Sequence, residues 1–549
     1  MEYKYLSHIN GPKDLKQLPV EVLPEVCKEI RDFIIQELSH NPGHLGSSLG
    51  AVDFTVALHY VFNTPDDKLV WDVGHQAYAH KIITGRRERF HTNRQFKGLS
   101  PFPSPAESEH DAFVAGHASN SISAALGLDL AETAAARLEN RTANNVVVII
   151  GDGAMTGGLA FEGLNNVSMD KNNLLIILND NNMAIDPIKG GITQYLLDLT
   201  TSAIYNKWRW KLYRLAVKLH LIDDKKKRSV LLRHNSLKTF LTKQPTNIFH
   251  GLNIRYFGPA DGHDVVYLVR ILSEIKNHKG PKVLHIVTKK GKGYAPAEND
   301  QTLWHAPGEF NVETGERTTS TNATQQPEPL WQEVFGQTLL EIARQNERVV
   351  GITPAMPSGC SMNILQREMP NRVYDVGIAE GHAVTFSAGL AKGGLLPFCN
   401  IYSSFMQRAY DNIIHDVALP KLPVVFCIDR AGIVGNDGAT HHGLLDLAYL
   451  RPIPNMVIGA PMTADDLRDM MSIAQEYDGP ISIRYPRGRT NEPPYPFTAH
   501  VKIGEGIRLA EGKKVAVLSI GAIGNTVAQA IKMATDTLKD ETQDTFAHY

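Results

Sequence analysis

Cysteine is scarce in this chain. Its 549 residues hold four, Cys27, Cys360, Cys399 and Cys427, lying far apart with no CxxC pair. That usage excludes a disulfide framework and a zinc knuckle as organising principles. It fits a reducing cytosol, so a cytoplasmic location is expected. An excess of one charge is missing as well, since 56 Lys and Arg face 58 Asp and Glu, for a formal charge of -2. Such balance carries no nucleic-acid footprint and no polybasic membrane surface, and neither partner is expected. The longest apolar runs, such as Val146 to Ile150, fall far short of the ~20 residues a membrane helix needs. The opening residues Met1-Glu2-Tyr3-Lys4-Tyr5 lack the apolar stretch of a signal peptide, and none is expected. What remains is an ordinary globular mix, 43% hydrophobic and 21% charged. At ~100–200 residues per domain it has length for three or four domains.

Forty-four glycines and thirty prolines punctuate the chain. Between them, short β-branched runs alternate with longer amphipathic stretches. Val146 to Ile150, Leu174 to Leu178 and Val283 to Val287 show no polar alternation. They read as strands buried on both faces, the pattern of a parallel sheet covered by helices, and the fold class is α/β. A polar stretch from Asn311 to Pro329 reads as a linker, after which the alternation restarts with the strand Pro423 to Asp429. A second proline-rich stretch lies at Asn491 to Pro496, followed by an expected strand over Val515 to Ile520 and a helix from about Asn525 to Leu538. One strand–helix unit cannot close a core of its own, so the ending at Tyr549 reads as an appendage or, preferably, as a truncation. Residues 190–245, with Trp208-Arg209-Trp210-Lys211 and Lys225-Lys226-Lys227-Arg228, read as a basic helical insertion with a solvated face.

Gly151-Asp152-Gly153-Ala154-Met155-Thr156-Gly157-Gly158 directly follows the strand 146–150. A glycine turn between strand and helix offers backbone N–H groups to an anion. A dinucleotide fingerprint fails because its third glycine would fall at Thr156, and a phosphate-binding P-loop fails because no GK[ST] follows. Asp152 is better explained as a ligand for a hard cation. The next buried strand ends in Asn179-Asp180-Asn181-Asn182-Met183, one strand–helix–strand repeat later. Asp152 and Asn181 then stand at the carboxyl ends of neighbouring strands, where open α/β sheets bind ligands. A carboxylate, an amide oxygen and a backbone carbonyl, completed by diphosphate oxygens, suit Mg2+. The arrangement resembles the thiamine diphosphate motif.

Such a cofactor needs a carboxylate on its aminopyrimidine ring. Asp375-Val376-Gly377-Ile378-Ala379-Glu380-Gly381 supplies Glu380, read as ending an apolar strand, with an acid at a helix N-cap as the plainer alternative. Phe405, in Ile401-Tyr402-Ser403-Ser404-Phe405-Met406-Gln407-Arg408, is an aromatic that could stack on the pyrimidine, although alone it would pass for core.

Further motifs are Gly43-His44-Leu45-Gly46-Ser47-Ser48-Leu49-Gly50, Trp71-Asp72-Val73-Gly74-His75-Gln76-Ala77-Tyr78, Asp429-Arg430-Ala431-Gly432-Ile433-Val434-Gly435, Asp437-Gly438-Ala439-Thr440-His441-His442-Gly443 and Arg484-Tyr485-Pro486-Arg487-Gly488. With them the chain, from about Leu15 to Leu538, resembles the 1-deoxy-D-xylulose-5-phosphate synthase family of transketolase-like thiamine diphosphate enzymes. The resemblance implies a diphosphate- and Mg2+-binding domain at 1–315, a linker at 316–330, a pyrimidine-binding domain at 331–492 and the start of a third α/β domain at 500–549. Mainly parallel sheets flanked by helices are implied in each full domain, and a homodimer overall. It further implies that pyruvate loses CO2 on thiamine diphosphate and that the two-carbon fragment joins D-glyceraldehyde 3-phosphate, giving 1-deoxy-D-xylulose 5-phosphate.

Residue roles follow from the same resemblance. His75, Gly116, His117 and Ala118 contact the cofactor, Gly153 and Ala154 bind its diphosphate, and Tyr294 closes over it. Asp152 and Asn181 ligate Mg2+ with the Met183 carbonyl, and Glu380 activates the pyrimidine. His44 and His441 are the candidates for proton transfer at substrate oxygens, with His305 and His382 behind them, since imidazole titrates near operating pH. Arg430 and Arg487 resemble a phosphate clamp, with Tyr402, Arg408, Asp437 and His305 lining the substrate pocket. Gly381 and His442 stand where the family pattern has Gln. Two alternatives remain at this point, another transketolase-like thiamine enzyme and an inactive truncated subunit. The arginine loops and the His382-Ala383-Val384-Thr385-Phe386 run argue against the first.

Overall fold

A computed structural model describes residues 3–169, 171–183, 248–318, 328–491, 501–538 and 545–548. The basic segment expected at 190–245 lies outside them, as do residues 319–327 of the expected linker. The chain divides into two compact units, Met1–Thr318 and Thr319–Tyr549.

The first unit is built on five parallel strands: β1 (Lys68–Trp71), β2 (Val146–Gly151), β3 (Leu175–Asp180), β4 (Arg255–Asp261) and β5 (Lys282–Val287), in the order β1-β2-β3-β5-β4. The uninterrupted Val/Ile/Leu runs form its middle because both faces are covered. Val147, Ile149, Leu175, Ile177 and Leu284 face one apolar layer, built with helices α1 (Leu23–His40), α2 (Val52–Val61) and α5 (Val265–Ile275). Val146, Val148, Ile150, Ile176 and Leu178 face the other, built with α3 (Ser121–Leu138) and α4 (Gly158–Met169). The strand's two-residue period thus splits one apolar run between two cores.

The second unit repeats the plan with six parallel strands: β6 (Val349–Thr353), β7 (Val373–Asp375), β8 (Leu396–Tyr402), β9 (Val425–Asp429), β10 (Val457–Gly459) and β11 (Ile481–Arg484), in the order β10-β11-β9-β8-β6-β7. Helices α6 (Trp331–Gln345) and α8 (Ala464–Ala474) cover one face, and α7 (Glu380–Lys392) the other. Residues from 515 onward form a parallel pair, β12 (Val515–Val517) with β13 (Phe546–His548), and a helix α9 (Ile523–Leu538). The strand expected over Val515 to Ile520 is half that length, and Val515 and Ala516 are exposed. A two-stranded ribbon has too little sheet to bury a longer run. Among the described residues no helix is long and apolar enough to cross a membrane.

Candidate active site

In the first unit the chemistry gathers at the carboxyl ends of β1, β2 and β3. Asp152 follows β2 and is buried. Its carboxylate accepts the Gly153 N–H at 3.0 Å and the Asn182 N–H at 2.7 Å, which ties the turn after β2 to the turn after β3. Asn182 takes a left-handed conformation (φ 57°), and the Asn181 amide oxygen accepts the Met183 N–H at 3.0 Å. Asp152 and Asn181 are therefore on adjoining turns. Burial, and then the charge of Asp180, push the Asp152 carboxyl well above the usual carboxylate range. A divalent cation would relieve both effects. The fit is visible in Asp180 Oδ1, which is buried without a hydrogen-bond partner among the described residues. Among the described residues no three His, Cys, Asp or Glu side chains converge on a metal geometry. One carboxylate, one amide oxygen and a carbonyl form a set for a hard cation that takes its other oxygens from phosphate and water.

The turn at 116–119 is held against the same place. Gly116 (φ 140°) and Ser119 (φ 73°) both need unusual backbone angles. Asp72, just past β1, accepts the Ser119 N–H at 2.9 Å, the Ser121 N–H at 3.3 Å and the Ser121 hydroxyl at 2.6 Å. Ser119 Oγ donates to the Ala154 carbonyl at 2.7 Å, which ties the turn carrying Gly116, His117 and Ala118 to the turn after β2. The Gly153 N–H is already engaged by Asp152.

Beside this turn three histidines meet. Ring centroids are 6.1 Å apart for His44 and His75, 5.4 Å for His44 and His305, and 5.9 Å for His75 and His305. Two glycines allow the approach. A Cβ on Gly46 would lie 2.9 Å from the Trp304 carbonyl oxygen, and one on Gly50 2.9 Å from that of Lys289. The short helix Leu45–Gly50 can therefore sit directly on the loops carrying Lys290 and His305. His75 Nδ1 is buried without a hydrogen-bond partner. Burial, then the nearby Lys290, hold its imidazole down at about 4. His305 is held well below the usual histidine range by the same two causes, and its Nδ1 lies 3.4 Å from Ser47 Oγ. Arg94 Nη1 stands 3.3 Å from His44 Nδ1.

Tyr294, expected to close over the cofactor, sits in an aromatic group. Its ring packs in the core against Trp304 (5.2 Å) and Phe310 (5.8 Å), and its hydroxyl donates to the Val312 carbonyl at 3.1 Å.

In the second unit Glu380 opens helix α7 rather than ending a strand. β7 stops at Asp375, and the chain turns through Gly377 (φ 75°) before the helix begins. A carboxylate in a first helical turn is favoured by the helix dipole. Glu380 is 6% exposed, and Arg408 Nη1, of the expected pocket lining, lies 3.5 Å from its Oε2. A continuous stack runs beside them. The Arg430 guanidinium lies 4.0 Å above the Tyr402 ring, Tyr402 stacks on Phe405 at 5.4 Å, and Phe405 meets His441 edge-on at 5.3 Å. Arg430, left-handed at φ 58°, is also ion-paired with buried Asp429, whose carboxyl is raised to about 6 by burial against the opposing pull of Arg430. Arg487 pairs with Asp437 at 2.8 Å and donates to the Val434 carbonyl at 3.2 Å. His382, exposed on α7, stacks on Phe386 at 5.6 Å.

Several supporting residues were not singled out from sequence. Asp72 and Ser119 order the turn at 116–119. His442, named above only as a departure from the family pattern, accepts the Val434 N–H on its Nδ1 at 3.1 Å and so braces the loop between Arg430 and His441. The Asn179 amide joins Gln76 (2.9 Å) to Thr288 (2.6 Å), coupling β3 to two loops. Asp72, Gln76 and Asn179 all lie inside motifs quoted above, and their nearness to glycine turns was the available signal.

Comparison with known proteins adds extent. A family model described as 1-deoxy-D-xylulose-5-phosphate synthase matches residues 6–288, and one described as the transketolase pyrimidine binding domain matches residues 328–493. A 1-deoxy-D-xylulose-5-phosphate synthase of Parabacteroides distasonis is 59% identical over 546 residues, covering 99% of this chain and 84% of that protein. The one from Bacteroides fragilis is 58% identical over 549 residues, covering 100% and 83%. That of Chlorobaculum tepidum is 48% identical over 531 residues, covering 95% and 82%.

Proposed function

The chain belongs to the 1-deoxy-D-xylulose-5-phosphate synthase family, and from that premise we propose that it joins pyruvate to D-glyceraldehyde 3-phosphate with loss of CO2, giving 1-deoxy-D-xylulose 5-phosphate. It is a transferase of two-carbon units of the transketolase type. Thiamine diphosphate, when bound, supplies the electron sink that makes decarboxylation possible. The observation that carries the reading is the pair of turns joined by the Asp152 carboxylate at the ends of β2 and β3. Asp152, Asn181 and the Met183 carbonyl would hold Mg2+, and the backbone at Gly153 and Ala154 would face the diphosphate.

His75 and the turn Gly116-His117-Ala118 would bind the rest of the cofactor. The low imidazole value of His75 keeps it neutral at physiological pH, where it can accept or donate a hydrogen bond without adding charge. Glu380 would hold the aminopyrimidine in the tautomer that takes up a proton, and Phe405 would give that ring a stacking face. His44 and His441 are the proton carriers at the substrate oxygens, with His305 beside His44. Arg430 and Arg487 would receive the acceptor's phosphate, a dianion that guanidinium groups bind in bidentate fashion. Tyr402 and Asp437 hold those two arginines in place. A homodimer in the cytoplasm completes the proposal. The four cysteines, all buried and free, fit that compartment.

The test mixes the purified chain with Mg2+, thiamine diphosphate, pyruvate and D-glyceraldehyde 3-phosphate. CO2 and 1-deoxy-D-xylulose 5-phosphate are expected in equal amounts. CO2 release that ignores the aldehyde phosphate, or xylulose phosphate serving as the better two-carbon donor, overturns the assignment.

A further inference from the structure

Beside Asp152 stands a second carboxylate that none of these roles uses. Asp180 closes β3, one residue before Asn181. In the β2–β3 register Gly151 lies opposite Asn179, so Asp152 and Asp180 follow at the next rung of the same sheet edge. Asp180 is 1% exposed. Its Oδ2 is gripped by His285 Nε2 at 2.9 Å from β5, and His285 Nδ1 meets the Tyr256 hydroxyl from β4 at 2.7 Å. His285 is itself fully buried. Three strands therefore fix the orientation of this one carboxylate. Its other oxygen, Oδ1, is sealed from solvent and has no hydrogen-bond partner among the described residues. A buried carboxylate oxygen left bare costs free energy, and native proteins keep one where an ion, ligand or water completes it.

We propose that Asp180 is a positioning residue of the cation site: the chain Tyr256–His285–Asp180 presents Oδ1 beside Asp152, where it accepts a hydrogen bond from water bound to the divalent cation. The inference rests on the reading that Asp152 and Asn181 hold that cation. Mg2+ keeps an octahedral shell and gives up its waters reluctantly, so a few protein oxygens and a diphosphate leave room for a bound water. Such a water donates two hydrogen bonds, and a rigid carboxylate nearby fixes where it points. Outer partners of this kind orient the ligands and raise affinity without touching the metal.

The test uses the full chain. Mg2+ is titrated calorimetrically at saturating thiamine diphosphate into the wild type, Asp180→Asn and Asp180→Ser, and thermal unfolding of each cofactor-free chain is recorded beside it. The expected result is a Mg2+ dissociation constant about 10- to 100-fold higher in both variants, with cofactor-free melting little changed in Asp180→Asn, which keeps an acceptor oxygen for His285 Nε2, and lower in Asp180→Ser, which leaves that group bare. Two variants are used so that one misfolding substitution does not decide the matter. Mg2+ affinity within about threefold of wild type overturns the inference. So does a loss of affinity confined to Asp180→Ser, the variant that melts lower, which is the mark of a purely structural residue. If the wild type itself shows no Mg2+-dependent binding of thiamine diphosphate, the cation reading fails and this inference falls with it. If the wild type binds and both variants bind equally, this inference alone falls.

Discussion

Asp72→Asn is the most informative single change in the first unit, because Asp72 touches no proposed ligand yet holds the turn that does. Its carboxylate, 1% exposed, accepts three hydrogen bonds, from the Ser119 N–H, the Ser121 N–H and the Ser121 hydroxyl. Bonds to a charged acceptor contribute about 1.5–3 kcal/mol each. Asparagine keeps one acceptor oxygen and places an NH2 where the carboxylate had its second. The Ser121 hydroxyl can rotate to accept from that NH2, but the Ser121 N–H cannot, so one buried donor faces another. Losing one strong bond and part of a second lowers stability by about 2–4 kcal/mol. At about 2–4 °C per kcal/mol for large domains, the melting temperature should fall by roughly 5–10 °C. The turn at 116–119 loosens with it, and since Ser119 Oγ is bonded to the Ala154 carbonyl, the diphosphate turn loses a support. Thiamine diphosphate affinity should drop about tenfold or more, as for other supporting contacts of a bound group. Thermal unfolding by circular dichroism and a fluorescence titration with thiamine diphosphate at fixed Mg2+ read both quantities. A variant that melts within about 1 °C of wild type and binds the cofactor equally well would refute the reasoning.

Three further outcomes are expected. Glu380→Ala should lower turnover by at least about 100-fold while leaving Mg2+-dependent cofactor binding in place, and retained activity would remove the role given to Glu380. Arg430→Lys should raise the KM for D-glyceraldehyde 3-phosphate by about tenfold, because lysine offers neither a bidentate fork nor a planar face for Tyr402, with the KM for pyruvate little changed. A matching rise in both constants would count against a phosphate role. His75 sets a pH dependence, since its folded value of about 4 lies below the ordinary 6.5. The unfolded chain binds a proton between those values that the folded chain refuses, so the contribution is present above 6.5 and is lost as pH falls towards 4, by at most about 3 kcal/mol. Denaturant unfolding at pH 7 and 4.5 should show a smaller loss in His75→Gln than in wild type, and equal losses would reject the assignment.

The α/β architecture was legible because its strongest signal is local. Val146 to Ile150 and Leu174 to Leu178 have no polar residue to give a strand one wet face, and both are buried on both sides. The placement of Asp152 and Asn181 at the ends of adjoining strands was legible for the same reason, since each follows its strand immediately. Where sequence reasoning failed, the deciding contact lay elsewhere. Glu380 looks like the end of a strand because Val373 to Ala379 is mostly apolar, but Asp375 caps that strand early, accepting the Ala355 N–H at 2.8 Å and the Gly377 N–H at 3.1 Å. The supporting bonds were harder still to foresee. Asn179 reaches Gln76 across 103 residues, and Asp180 reaches His285 across 105. No window along the chain contains both partners.

One rule nevertheless joins the legible residues to the hidden ones. Asp72 and Asp152 each stand just beyond the last residue of a parallel strand, and Asp180, Asp375 and Asp429 are themselves the last. Four of them accept backbone N–H groups from the loops that follow or adjoin: Asp72 from Ser119, Asp152 from Gly153 and Asn182, Asp375 from Ala355 and Gly377, and Asp429 from Arg430 at 2.6 Å. The reason is geometric. At the carboxyl edge of a parallel sheet the chain leaves its ladder and must find other partners for its N–H groups, and a short fixed acceptor at the strand's end supplies them. The loops so fastened carry the residues proposed for the cofactor and the substrate phosphate. Asp180 is the member of the set whose free oxygen receives no such bond, and that exception is what marks it for a ligand rather than for the fold.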